Sequence, residues 1–418
     1  MGKYTSFLED LSYDILEKED YLEELKKVTN LFRTFDQALD SFIVSQGYEG
    51  DLSNVDEKVL FITGKLKKAG VPVPRNIKEW YSEHKIIERK TAFRLCFAFD
   101  LQIEEVNDFL GRICLTRGFD CHNVEEVVYF FAFKNSLSYA ETMDIVKQVE
   151  LIKPEKIAKE DSIYTDLIVE EIDDIETAEE LVLYLNENVD KFRYNNVTAY
   201  DAIQTIWKFI SKDDGIAIRE KKRLYASFDK DKENGQSEEN ANKKRKERKR
   251  MDDSIWEIYL QILGLSGNYV DKIYKERSLK SILKDNELIH QLAEDSFPDR
   301  DGLNKILNGK HVSYERVRKI LILLVFYKFW VSKALGNNHY EAENGDADRF
   351  KSTIKNYLTE AGYLQLYPGN PYDFIILVSA NSECPLMTFR DYMREMFIKK
   401  TDADGNLIIE EKTHSQIQ

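Results

Sequence analysis

The sequence predicts an all-α protein of several domains, built as helical bundles that carry helix-turn-helix-like units and are interrupted by a disordered charged linker. Three observations predict it. The 418 residues exceed the roughly 250 to 300 at which single cores stop growing. Between Arg75 and Phe297 there is one proline, Pro154, so little in that long stretch forbids a helix. Apolar residues recur at i, i+3, i+4 and i+7, the spacing of one helix face.

The elements follow in order. Residues Phe7 to Val44 read as helical, with Leu22, Leu25, Val28, Leu31 and Phe32 at three and four spacings, and Gly47 and Gly50 end the pattern. Ser53 with Asp56 announces a second helix that stops at Gly70, ahead of Pro72 and Pro74. Ala92, Leu95, Cys96 and Phe99 form one apolar stripe, and Val106, Phe109, Leu110 and Ile113 form another after a break at Asp100. Asn123 before Glu126 and Ser138 before Glu141 place a capping side chain three residues ahead of an acid, so two more helices start there. Past Pro154 the chain turns acidic through Glu170, Glu171, Asp173 and Asp174, and Thr177 with Glu180 opens a further helix. A domain boundary is expected near residue 155, dividing an N-terminal helical domain, 1–155, from an acidic helical region, 156–228.

Residues 229–253 hold almost no apolar side chain, and such a segment buries too little surface to offset its ordering entropy. They are expected to be a disordered linker, open to trypsin, ahead of a C-terminal helical domain, 254–418. There the apolar run from Ile320 to Tyr327 and Phe329 to Val331 is broken by Lys328 and reads as a core helix, not a membrane span. Asn370, Pro371 and Asp373 supply a cap, a first-turn proline and a first-turn acid for a helix through Val378.

Composition narrows the function classes. A net charge of -15 argues against a protein that coats nucleic acid indiscriminately, although local basic patches remain available. Cys96, Cys114, Cys121 and Cys384 contain no CxxC pair and read as free thiols; with no signal-peptide pattern, the expected location is the cytoplasm. P-loop, GxGxxG and HExxH patterns are absent, and no cofactor or metal is expected. The tract Lys243 to Arg250 has seven cations in eight residues, a pattern of nucleic-acid binding or nuclear addressing and equally of a solvated linker. Asp402, Asp404, Gly405 and Glu411 match part of a calcium loop, but Lys400 stands at the first ligand position and repels the ion.

A weak internal echo carries a resemblance. Ala92, Leu95, Cys96 and Phe99 match Val317, Ile320, Leu321 and Leu324, and each set follows a short segment with an apolar pair, Ile77 and Trp80 or Leu303 and Ile306. The stretches Arg75 to Leu101 and Asp301 to Leu321 resemble part of a helix-turn-helix of the Cro and phage-repressor family. The resemblance implies that a short helix presents Arg75, Asn76, Lys78 and Glu79 in the first unit and Arg300, Asn304 and Lys305 in the second, with Asn and Arg suited to base edges and Lys to phosphates. Glu79 and Glu83 depart from it, since they would face phosphates. An ordinary helical hairpin with solvated charges accounts for the same spacing.

Arg117 and His122 have the Arg-x4-His spacing that resembles HEPN-type ribonucleases, in which the pair lies on a helix and acts at a scissile phosphate. Gly118 and the Asn123 cap instead predict a loop between helices. The leading expectation is a non-enzymatic regulatory or interaction protein that contacts DNA or RNA through the two units. A ribonuclease using Arg117 and His122, and a scaffold whose acidic surface meets a protein partner, are the alternatives.

Overall fold

The computed structural model describes residues 3–18, 24, 28, 31–82, 87–151, 165–193, 197–223, 255–265, 297–298, 300–310 and 312–397. Leu22 and Leu25, the boundary near 155, the linker 229–253 with its basic tract, and the tail around Lys400 to Glu411 lie outside them. Among the described residues every regular element is a helix.

Polar side chains start the helices where the sequence places them. Helix α1 covers Lys3–Asp14 and runs into a single 3-10 turn, Ile15–Glu17; α2 covers Phe35–Ser45 and α3 Val55–Lys68. The expected continuous helix from Phe7 to Val44 is therefore broken, because Gln37 accepts from the Thr34 amide at 3.1 Å and opens α2 afresh. Asn54, one residue after the expected Ser53, caps α3 by accepting from the Asp56 and Glu57 amides. Gly47 and Gly70 end α2 and α3 with φ of 89° and 67°, values open to glycine at little steric cost.

Pro72 and Pro74 disfavour helix in the residues before them, 75–78 form a turn, and α4 covers Glu79–Ser82. Helix α5 covers Arg89–Ala98, α6 covers Ile103–Asp108 and continues as a π-helical turn through Phe109–Ile113, and Asp100 marks the break between them with φ 53°. Helices α7, Val124–Lys134, and α8, Tyr139–Val146, begin at the Asn123 and Ser138 caps, and α10, Ala178–Glu187, at Thr177, after α9, Thr165–Asp173. The remaining helices are α11, Val197–Ser211; α12, 216–223; α13, Ile255–Ile262; α14, Arg300–Leu307; α15, Tyr314–Asn337; α16, Asp346–Glu360; α17, Pro371–Asn381, capped by Asn370; and α18, Pro385–Phe397.

Three apolar cores hold these helices. The first packs Leu39 and Ile43 of α2 and Ile62 and Leu66 of α3 against Leu95, Cys96 and Phe97 of α5 and Phe133 of α7. The second takes the other side of α7, through Val127, Val128 and Phe131, against Ile168, Ile172, Leu181 and Leu185. Helix α7 is thus sandwiched. The third and largest surrounds α15, whose Ile320, Leu321 and Leu324 are fully buried beneath α11, α16 and α18. By length and composition α15 is long and apolar enough to cross a bilayer; here its apolar side chains pack inside the protein. Residues 1–155 contribute to all three cores, since Leu8, Ile15, Val28 and Phe32 pack into the third.

Candidate nucleic-acid interface

The two units share one construction. In the first, the turn 75–78 leads into α4, and Ile77 and Trp80 go down into the first core, where Trp80 meets Phe35 edge to face at 6.5 Å. Arg75, Asn76, Lys78 and Glu79 face outward. Three of them sit in the turn, not on a helix as the resemblance implies, because α4 begins only at Glu79. Lys78 forms an exposed ion pair with Asp56, of the kind that contributes little to stability.

In the second unit, α14 buries Leu303 and Ile306 and leaves Arg300 and Lys305 exposed, with Asn304 half-buried between them. Gly309, at φ 65°, closes the helix, and the Lys310 amide donates to the Lys305 carbonyl at 2.7 Å. Lys305 pairs with Asp301 one turn back at 2.6 Å, and the Arg300 guanidinium lies 6.0 Å from the Trp256 ring. Tyr200 donates to the Lys310 carbonyl at 3.0 Å and ties the following turn to α11. A cation and a carboxamide at positions 300 and 304 share one helix face, the pairing that can read a base edge beside a phosphate.

Arg117 and His122 lie in the loop between the π-helical turn and α7. Arg117 is engaged on every side: its Nη2 is 2.7 Å from Asp120 Oδ2 and 3.6 Å from Glu126 Oε1, and its guanidinium carbon lies 3.8 Å from the Tyr314 centroid. Burial works against its charge, but Asp120 and Glu126 outweigh burial and raise its pKa. His122 is 2% exposed, and burial lowers its pKa, with Arg117 adding to the effect and Asp120 opposing it. Burial also pushes the neighbouring Cys121 thiol up to about 12. The cavity beside them, lined by Phe119, Asp120, Cys121, Glu126 and Phe130, has room for about one water molecule.

The residues that organise this loop carry no motif. Arg89, at the start of α5, grips the Glu126 carboxylate through Nε and Nη2, both at 2.6 Å, and donates to the Arg117 and Gly118 carbonyls. The capping pattern marks Glu126 as a helix-start acid; its second role as a buried counter-ion has no local signature. Among the described residues, no group of three or more His, Cys, Asp or Glu side chains converges to hold a metal ion. Against protein-family models, curated proteins and solved structures, the chain has no match.

Proposed function

We propose that this protein is a non-enzymatic regulatory or interaction protein that binds nucleic acid through the 75–82 and 300–307 units. One observation carries the reading: in both units the apolar pair is buried while the cations beside it are exposed. Such cations contact phosphates, and Asn304 is placed for a base edge. The test is a titration of labelled duplex and single-stranded pools at several salt concentrations. Wild type should bind with an affinity that falls steeply with salt. Replacing Arg75 and Lys78, or Arg300 and Lys305, with Ala should flatten the logarithmic slope by roughly 0.7 to 0.9 for each phosphate left unneutralised. Salt-insensitive binding, or double variants that bind as wild type does, would overturn the reading.

A second reading has its own support. Glu170, Glu171, Asp173, Glu179 and Glu180 are exposed on α9 and α10, and Leu183 is 58% exposed beside them. This surface suits a basic protein partner. Capture of such a partner that survives the cation substitutions but not Leu183→Asp would favour it.

A further inference from the structure

Contacts run from the helix that follows one cation-bearing unit to the helix that follows the other. Arg89 opens the helix that follows the first unit, and its fork on Glu126 is completed by a 2.9 Å hydrogen bond to the Arg117 carbonyl. Glu126 Oε2 also accepts from the Asp120 amide at 2.8 Å, so one carboxylate fixes both ends of the 117–120 segment. Arg117 also reaches from this cluster over the ring of Tyr314, the first residue of α15, with its guanidinium carbon 3.8 Å from the ring centroid. Tyr314 is held in turn by Tyr363, whose ring is 4.5 Å away and whose hydroxyl donates to the Tyr314 carbonyl at 3.4 Å.

The same loop is shaped to receive the other side of the joint. A Cβ at Gly111 would lie 2.5 Å from Leu364 Cδ1, and one at Gly118 would lie 2.7 Å from Asn107 Oδ1 and 3.1 Å from Leu364 Cδ2, so Leu364 packs closely against the backbone at both glycines. Leu115 is held at φ 48°, a left-handed conformation that side chains resist and that persists only where the surroundings enforce it.

We propose that Arg117 is a positioning residue that fixes the two units in one register, so that they engage two stretches of a single nucleic acid as one reader. This rests on the nucleic-acid reading above. A guanidinium clamped by two carboxylates and set over an aromatic ring is a planar, directional connection, which a lysine ammonium cannot reproduce. Fixing the spacing makes the second contact intramolecular at no further ordering cost, and two-point binding of this kind raises affinity by roughly 10² to 10⁴ over either point alone.

The experiment compares wild type with Arg117→Lys and with Tyr314→Leu, the latter leaving the Arg89, Glu126 and Asp120 cluster intact. Spin labels at exposed Lys67 and Asn308 report the distance between the units, and helical circular dichroism verifies folding. Wild type should give one narrow distance distribution, and both variants a broader one. The gain in affinity of wild type over its Arg300→Ala/Lys305→Ala form should shrink at least about tenfold when Arg117→Lys is added. Unchanged narrow distributions in both variants, with nucleic-acid binding present in wild type, overturn the positioning role alone. Absence of nucleic-acid binding by wild type overturns the functional reading itself, whatever the distances do.

Discussion

Arg318 and Asp373 meet in a fork of two hydrogen bonds, 2.9 Å and 2.8 Å long, joining α15 to the first turn of α17 where neither side chain reaches solvent. The carboxylate also accepts from the Tyr367 amide at 2.9 Å, and the guanidinium donates to the carbonyls of Leu364 and Gln365. Removing one member leaves the other charged and buried. Asp373→Asn should therefore destabilise the protein by about 3 to 5 kcal/mol, measured as a lower urea midpoint. A variant within about 1 kcal/mol of wild type would show that the pair does not hold these helices together.

Glu220 should give the third core an acid-sensitive limb. Its carboxylate faces Arg390 at 2.8 and 3.0 Å and accepts from Tyr327 and Gln261. Burial alone would raise its pKa; Arg390 and the hydrogen bonds outweigh burial and leave it below the ordinary 4.5. The unfolded chain thus takes up this proton more readily than the folded one. The stabilisation is present above the ordinary value and is lost as pH falls through the depressed folded value. Unfolding free energy measured from neutral pH downward should drop below about pH 4.5, and more shallowly for Glu220→Gln, which is already weaker at neutral pH.

Leu321 is wholly enclosed by the third core. Leu321→Ala should cost about 2 to 5 kcal/mol, toward the upper figure if the helices around α15 cannot close on the space. Chemical denaturation with an unchanged m-value would confirm a loss of packing and not of fold.

If the protein binds nucleic acid as proposed, Asn304 separates base reading from phosphate contact. Alanine is the better helix former at this position of α14, so Asn304→Ala should leave folding intact. It should keep the salt slope of binding while flattening sequence preference at one base by about 1 to 3 kcal/mol. An altered slope with unaltered preference would assign Asn304 to the backbone instead.

Local signals in the sequence locate most helix starts, and they do so for a reason that concerns only neighbouring residues. Asn123, Ser138, Thr177 and Asn370 each satisfy free amides of the turn that follows, and that chemistry is visible in four consecutive letters. The Thr34 and Gln37 pair is equally legible, and reading past it merges the first stretch into one helix. The buried stripe of Leu95, Cys96 and Phe99 is legible too, because periodicity reveals which face is apolar. Periodicity does not name the face it meets. That α7 serves two cores, and that Phe32 packs on Phe374, therefore has no trace in the chain. At the candidate interface, burial of Ile77, Trp80, Leu303 and Ile306 is readable from spacing, whereas Arg89 and Tyr314 look like any surface cation and helix-start aromatic until the fold brings them to Arg117.

The placement of α1 bears on how the chain is made. Its Ser12 hydroxyl accepts from the Asn381 side chain at 3.2 Å across 369 positions of sequence, and Tyr13 accepts from Lys351 at 2.9 Å. At roughly 5 to 20 residues per second, the ribosome delivers Lys351 and Asn381 only about 20 to 70 seconds after α1 itself. Residues 35–193, which fill the first two cores, can condense during that interval, while Leu8 waits in contact with water or with a chaperone. Made before the residues it packs on, α1 is thus among the last of these elements to settle, and a translational pause ahead of α16 would lengthen its exposure without touching the middle of the protein.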